Sequence, residues 1–228
     1  MISHPLARGA LHDIVDELAA LLLAASCAGC AKPGALLCAV CRRQLTPSPT
    51  QTVTPDGLVV RAALAFDGVA ARCIRRLKGE GETLLARPLG RTLAEPLVAE
   101  VVSGVLIVPV PTSRSAFRQR GYRVPELLAR GAGVRASRIL VPGATKADQR
   151  GLDVRERRAN VSGSIRTRRR GEGQRIALLD DVVTTGATLD EAARVLTEAG
   201  FEVVSAIALA ATPRHRRLIG DSSATRRK

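Results

Sequence analysis

The densest chemistry in the chain lies in Ala177-Leu-Leu-Asp-Asp-Val-Val-Thr-Thr-Gly-Ala-Thr188. An apolar run ends in two adjacent carboxylates, Asp180 and Asp181. A small, hydroxyl-rich loop follows, and helical periodicity starts at about Leu189. Loop amides and a helix N-terminus form a concave anion site suited to a phosphate. Thr184, Thr185 and Thr188 add hydroxyl donors, and Gly186 lets the backbone approach the ligand closely. The two carboxylates would repel a bare phosphate. They suit diol hydroxyls one sugar ring away, or a magnesium ion. The unit therefore reads as a phosphate site beside a ribose site. A capped strand–helix turn is the plain alternative, and it leaves the acid pair and the three threonines without a reason. The Gly-x4-Gly-Lys-Ser/Thr pattern of nucleotide phosphate loops does not occur in the chain.

A second constellation is Cys27-Ala-Gly-Cys30 and Cys38-Ala-Val-Cys41, two Cys-x2-Cys pairs with seven residues between them. Each knuckle can aim two thiolates at one ion, and four thiolates close a tetrahedral structural zinc site. Gly29 allows the tight turn, and Lys32, Arg42 and Arg43 offset the negative charge of such a centre. A redox pair or an iron–sulfur site remains open on spacing alone. Four thiolates leave no open coordination position, so no catalysis is assigned to the metal. Cys73 stands alone and reads as a half-buried helix cysteine.

The segment at 177–188 resembles the type I phosphoribosyltransferases, whose signature is an apolar strand, two acidic residues, then Thr-Thr-Gly-x-Thr. The resemblance implies that Asp180 and Asp181 contact the ribose 2′ and 3′ hydroxyls of phosphoribosyl pyrophosphate (PRPP). It implies that Val183, Thr184, Thr185, Gly186, Ala187 and Thr188 hold the 5′-phosphate, and that Mg2+ accompanies PRPP. Val108-Pro-Val-Pro-Thr-Ser-Arg114, running into Phe117-Arg-Gln-Arg-Gly-Tyr122, looks like the pyrophosphate-loop region, with Thr112, Ser113 and Arg114 as candidate contacts. Thr145-Lys-Ala-Asp-Gln149, Leu152, Arg157 and Asn160 are similar to the flexible loop of the ComF group of competence-associated proteins, which adds Lys146 and Arg157 to the pyrophosphate set. That group also carries an N-terminal four-cysteine module, and Ile74-Arg-Arg-Leu-Lys78 looks like one of its helices. After Gly121-Tyr122 the group usually has Asn then Gln, where this chain has Arg123 and Val124.

The basic residues fit a polyphosphate ligand. Arg114, Arg118, Arg120 and Arg123 cluster after an apolar strand, and Lys146, Arg150, Arg155, Arg157 and Arg158 lie in the loop over 144–165. Cations can neutralise a departing pyrophosphate, and a long basic loop can close as a lid that excludes water. Arg166 to Arg170 read as solvated surface. Lys78 reads either as a helix-dipole partner or as a ligand contact.

These residues need a scaffold to converge. Apolar positions at helical spacing predict an amphipathic helix over 10–25. Three prolines and four threonines without apolar period make 46–57 read as a linker. Beyond it, strands are expected at 58–66, 105–110, 139–141, 175–180 and 203–210. Helices are expected at 67–77 with Asp67 as cap, at 84–102 interrupted by Pro88 and Pro96, at 125–132 and at 189–199. Strands without polar alternation, separated by helices, imply a parallel sheet covered on both faces. The expected fold is thus α/β: a type I phosphoribosyltransferase-like parallel sheet flanked by helices, preceded by a small four-cysteine zinc module. The divisions are 1–46 for the helix and zinc module, 47–57 for the linker, 58–212 for the phosphoribosyltransferase domain and 213–228 for a basic flexible tail.

Composition narrows the partners. The chain has 228 residues and a net charge of +14, which favours polyanions. Aromatic residues are 2% of the chain, too few for a surface that stacks many single-stranded bases. No stretch approaches the roughly 18–20 apolar residues that span a bilayer. Acidic Asp13, Asp16 and Glu17 precede the apolar run at 18–25, which argues against an export signal. The expectation is a cytoplasmic, Mg2+- and PRPP-dependent phosphoribosyltransferase that binds PRPP or a nucleoside monophosphate, with a homodimer implied by the family's habits. The alternative is a single-stranded DNA-binding factor for DNA uptake that keeps the same fold as scaffold or nucleotide sensor.

Overall fold

The computed structural model describes residues 26–143 and 163–213. The helix expected over 10–25, the loop residues Lys146 and Arg157, and the basic tail beyond 213 lie outside the described residues. In chain order the elements are α1 (Ala39–Arg43), β1 (Thr50–Val53), β2 (Val59–Ala65), α2 (Gly68–Gly79), a 3-10 turn (Thr83–Leu85), α3 (Ala86–Arg91), α4 (Ala94–Val102), β3 (Leu106–Pro109), α5 (Arg114–Arg120), α6 (Val124–Gly131), β4 (Leu140–Pro142), β5 (Ile165–Thr167), β6 (Arg175–Val183), α7 (Ala187–Glu198) and β7 (Glu202–Ala211).

The main sheet runs β1-β2-β7-β6-β3, and β2, β7, β6 and β3 are mutually parallel. The central strands are apolar on both sides because both faces are covered. One face packs Leu64, Ile107, Leu179 and Leu209 against α2, α3 and α6. The other packs Val60, Val108, Leu178 and Ala206 against α7 and the small antiparallel pair β4–β5. The cysteine segment joins the first core: Cys27, Leu37, Cys41 and Leu45 pack with Val69, Cys73 and Ile74 of α2. Cys73 is fully buried rather than half-buried.

Four local expectations are corrected. Part of the expected linker is a strand, because Thr50–Val53 pairs antiparallel with β2 from Thr50↔Ala62 to Val53↔Val59. An edge strand has one solvated side, so threonines with β-propensity suffice and no apolar period is needed. Pro88 and Pro96 do not interrupt where they stand. Each is the third residue of its own helix, where the missing N–H costs no intrahelical bond, and the break falls at Thr92–Leu93. Asp67 precedes α2 in extended conformation, but its side chain makes no capping hydrogen bond. Finally, β6 does not stop at Asp180. It continues to Val183 because β7 is long enough to supply partners, with Asp180↔Ala208 and Val183↔Ala211 in register. The acid pair therefore belongs to the strand itself, and the pleat sends the two side chains to opposite sides.

Candidate functional site

Asp181 is buried at the end of β6, and Lys78 of α2 donates to its Oδ1 at 2.6 Å. The lysine reaches it because α2 packs across the sheet and ends beside the strand's C-terminal end. Lys78, read from sequence either as a helix-dipole partner or as a ligand contact, pairs with Asp181. Asp180 accepts the Asp181 backbone N–H at 2.8 Å. Burial and the neighbouring Asp181 carboxylate push the Asp180 carboxyl up to about 7, against the pull of that N–H and of Lys78. Asp180 thus titrates near neutrality, beside an aspartate paired with a lysine.

The loop at 184–186 carries the chain from β6 into α7. Gly186 has φ +86°, in the left-handed region that favours glycine. A Cβ built there would sit 2.8 Å from Thr54 Cγ2, so the β1–β2 turn presses on the loop from below. Thr54 is buried, and its hydroxyl accepts the Leu58 N–H at 3.0 Å. Thr184 and Thr188 are exposed, and Thr185 Oγ1 accepts the Ala187 N–H at 3.4 Å. Val183 is buried, and its carbonyl accepts the Thr212 N–H at 2.9 Å. Gly186→Ala combines a strained φ with a clash. It is expected to cost about 1–3 kcal/mol of stability and to weaken phosphate binding, as measured by denaturant unfolding and calorimetry.

A cleft of about 510 Å³ opens between α5 and the small sheet, lined by Ser113, Arg114, Arg118, Gly143, Ser164 and Thr188 among others. Ser113 caps α5, accepting the Ala116 N–H at 3.2 Å. Arg114 and Arg118 lie exposed one turn apart on one wall, and Thr188 brings the start of α7 to the same space. Thr112 is half-buried in the loop that precedes α5. The structure thus brings Ser113, Arg114 and Thr188 to one cleft, while on β6 Lys78 pairs with Asp181 and Asp180 accepts the Asp181 backbone N–H. Two of the basic residues are otherwise employed: Arg123 stacks on Phe117 at 4.0 Å, and Arg120 donates to the Ala116 carbonyl. Gly143 and Ser164 could not be found from sequence, since neither carries a charge or sits in a motif. Neutralising Arg114 and Arg118 together is expected to weaken inorganic pyrophosphate binding at least tenfold at low salt, with less loss at high salt. Titration calorimetry at two ionic strengths checks this.

The four cysteines gather as their spacing requires. Their sulfurs lie within 4.8 Å of one another, so the cluster can hold a metal such as zinc. Backbone donors reinforce thiolates: Cys38 N–H to Cys27 Sγ at 3.3 Å, and Cys41 N–H to Cys38 Sγ at 3.5 Å. Burial opposes ionisation of Cys27, but the backbone N–H groups of Cys38, Cys30 and Gly29 outweigh it and bring the thiol down to about 6. A Cβ on Gly29 would lie 2.6 Å from Cys41 Sγ and 2.9 Å from Val69, so only glycine fits between the knuckle and α2. Arg72 Nε donates to the Gly29 carbonyl, and Arg76 Nη1 donates to Ser26 O at 3.3 Å and Ser26 Oγ at 3.2 Å. Two arginines of α2 thereby clamp the first knuckle onto the helix that carries Lys78.

Strand β6 carries an acid pair and feeds a hydroxyl-rich loop, and the chain is similar in sequence to known phosphoribosyltransferases. The phosphoribosyl transferase domain model matches residues 136–224. The chain is 32% identical over 116 residues to Competence protein F of Haemophilus influenzae, covering 46% of this chain and 49% of that protein. It is 27% identical over 165 residues to Competence protein ComFC of Streptococcus pneumoniae, covering 67% of this chain and 68% of that protein. It is 30% identical over 126 residues to an adenine phosphoribosyltransferase of Clavibacter michiganensis subsp. michiganensis, covering 53% of this chain and 70% of that protein. The match thus spans about half the length of the Haemophilus protein. Among solved structures, a hypoxanthine phosphoribosyltransferase from Staphylococcus aureus aligns with a TM-score of 0.39 at 13% identity, covering 56% of this chain and 64% of that one. The chain belongs to the phosphoribosyltransferase family, and it is also similar to the two competence proteins. Among the described residues, no helix is long and apolar enough to cross a membrane.

Proposed function

We propose that the protein binds PRPP with Mg2+ and transfers its phosphoribosyl group to an acceptor nucleophile. The observation that carries this reading is the Lys78–Asp181 pair at 2.6 Å, set on the strand that runs into the 184–188 loop. A buried carboxylate fixed by a lysine is a preorganised acceptor for a sugar hydroxyl, and the loop one turn on supplies donors for a phosphate. In the reaction the bond from ribose C1 to the pyrophosphate oxygen breaks, and a bond from C1 to the acceptor forms. The pyrophosphate leaves with the electron pair, and the acceptor gives up a proton to solvent. Arg114 and Arg118 offset the charge that accumulates on the leaving group, and Asp180 and Asp181 lie where cationic character on the ribose is favoured. Mg2+, bound with PRPP, supplies further charge neutralisation. The four cysteines hold a structural zinc ion. Free thiols throughout suit a reducing, cytoplasmic setting, and a homodimer is part of the family-based expectation. The test is pyrophosphate release from PRPP in Mg2+, with nucleobases, ammonia and other amines as acceptors. Acceptor-dependent release supports the reading; inertness with every acceptor in a protein that binds PRPP would reduce it to a nucleotide-binding role.

A second reading, single-stranded DNA binding in DNA uptake, is favoured by the exposed Arg166, Arg168, Arg169 and Arg170 and by the names of the competence relatives. It predicts oligonucleotide affinity that falls steeply with salt and weakens when these arginines are replaced. Salt-insensitive or undetectable binding would contradict it.

A further inference from the structure

The C-terminal end of α2 is held in place from outside the acid site. Leu77 is among the last four residues of α2, so its carbonyl has no acceptor role within the helix. The Tyr122 hydroxyl donates to that carbonyl. The next residue along the helix is Lys78, whose Nζ holds Asp181 Oδ1. Tyr122 itself follows Gly121, the left-handed cap of α5, and precedes α6. The corner between these two helices is stiffened by Arg123 stacked on Phe117. The same α5 carries Arg114 and Arg118 on the cleft wall.

We propose that Tyr122 is a positioning residue: it ties the α5–α6 corner, which bears the anion-binding wall, to the end of α2, so that Lys78 holds Asp181 in the geometry that accepts a sugar hydroxyl. The tie makes the two halves of the site interdependent. An anion seated on the arginine wall stabilises the corner, and the corner fixes the lysine. The ligand in question is the one of the proposed function, so its identity rests on that reading; the tie itself does not.

The chain contains one tyrosine, so labelling with 3-fluorotyrosine reports on Tyr122 alone. The charged groups that act on Asp180 are Asp181 and Lys78, which makes the carboxyl titration a readout of the lysine's position. The experiment records the 13C carboxyl titration of Asp180 and Asp181 in the ligand-free wild type, Tyr122→Phe and Lys78→Met. It also records the fluorine resonance during addition of inorganic pyrophosphate, and Mg2+–PRPP affinity by calorimetry. Tyr122→Phe is expected to move the acid titration in the same direction as Lys78→Met and by a smaller amount. It is expected to weaken PRPP about fivefold, the size of one neutral hydrogen bond. Pyrophosphate is expected to shift the fluorine resonance. A merely structural tyrosine would lower the melting temperature and leave the acid titration unchanged, which would overturn the proposal. Absence of PRPP binding by the wild type would overturn the proposed function, while the titration still decides the tie. Should Tyr122→Phe not fold, the fluorine response of the labelled wild type decides: no response to pyrophosphate rejects the coupling.

Discussion

Asp180→Asn is expected to yield a protein that is harder to unfold and worse at holding its ligand. In the folded chain the Asp180 carboxyl sits at about 7, against 3.8 for an unperturbed aspartate, because burial and the Asp181 carboxylate both disfavour its ionised form. The folded state therefore binds this proton more tightly than the unfolded state does. Stability falls as pH rises from about 4 towards about 7, and it levels off above that. Asparagine carries no charge at any of these values. The variant should match the wild type below pH 4 and exceed it by on the order of 1–3 kcal/mol at pH 8. Unfolding curves at pH 4, 6 and 8 test this, and a variant less stable than wild type at pH 8 would contradict it. The ligand side runs the other way. An ionised carboxylate accepting a sugar hydroxyl contributes about 1.5–3 kcal/mol, so PRPP affinity should drop by roughly ten- to a hundredfold. Gain in stability with loss of binding at one position marks a group kept for its chemistry.

Removing the metal is expected to damage the site at a distance. The four-cysteine knuckle shares its core with α2 and is clamped to it through Arg72 on Gly29 and Arg76 on Ser26. Structural zinc contributes about 10–16 kcal/mol to folding in small zinc modules, and a domain's whole stability is about 5–15 kcal/mol. The module is not free-standing here, so only part of that energy reaches the domain. A strong chelator, or Cys41→Ser, should lower the melting temperature by about 10 °C or more. It should also weaken PRPP, because α2 carries Lys78. Metal analysis should return one zinc per chain before chelation. A protein without metal, or with unchanged melting temperature and affinity after chelation, would contradict this account of the module.

Much of the fold was legible because the strands that build it are unmixed. The runs at 105–110 and 175–180 have no polar alternation, which in a parallel sheet follows from cover on both faces. The acid pair and the Thr-Thr-Gly-Ala-Thr loop were legible because a phosphate and a diol demand those types side by side, and the knuckles because a tetrahedral ion demands that spacing. Other features were not. Thr50–Val53 carries no periodic signal, since pairing at a solvated edge asks only for β-propensity. The prolines at 88 and 96 mark first turns as readily as breaks, and only the packing chose between them. The contact of Lys78 with Asp181 spans 103 positions of sequence and depends on how α2 crosses the sheet. The hydroxyl of Tyr122 was likewise silent in sequence, because its partner is a backbone carbonyl that any residue could have offered.

The acid pair of β6 and the loop that follows it are expected to receive one sugar phosphate. Calorimetric titration of Mg2+–PRPP into the wild type and into Asp180→Asn/Asp181→Asn tests that most directly. The predicted result is one bound PRPP per chain in the wild type and a loss of affinity of at least fiftyfold in the double variant, about 2.3 kcal/mol or more. Equal affinity in the two proteins, or no heat of binding in a folded wild type, would contradict it.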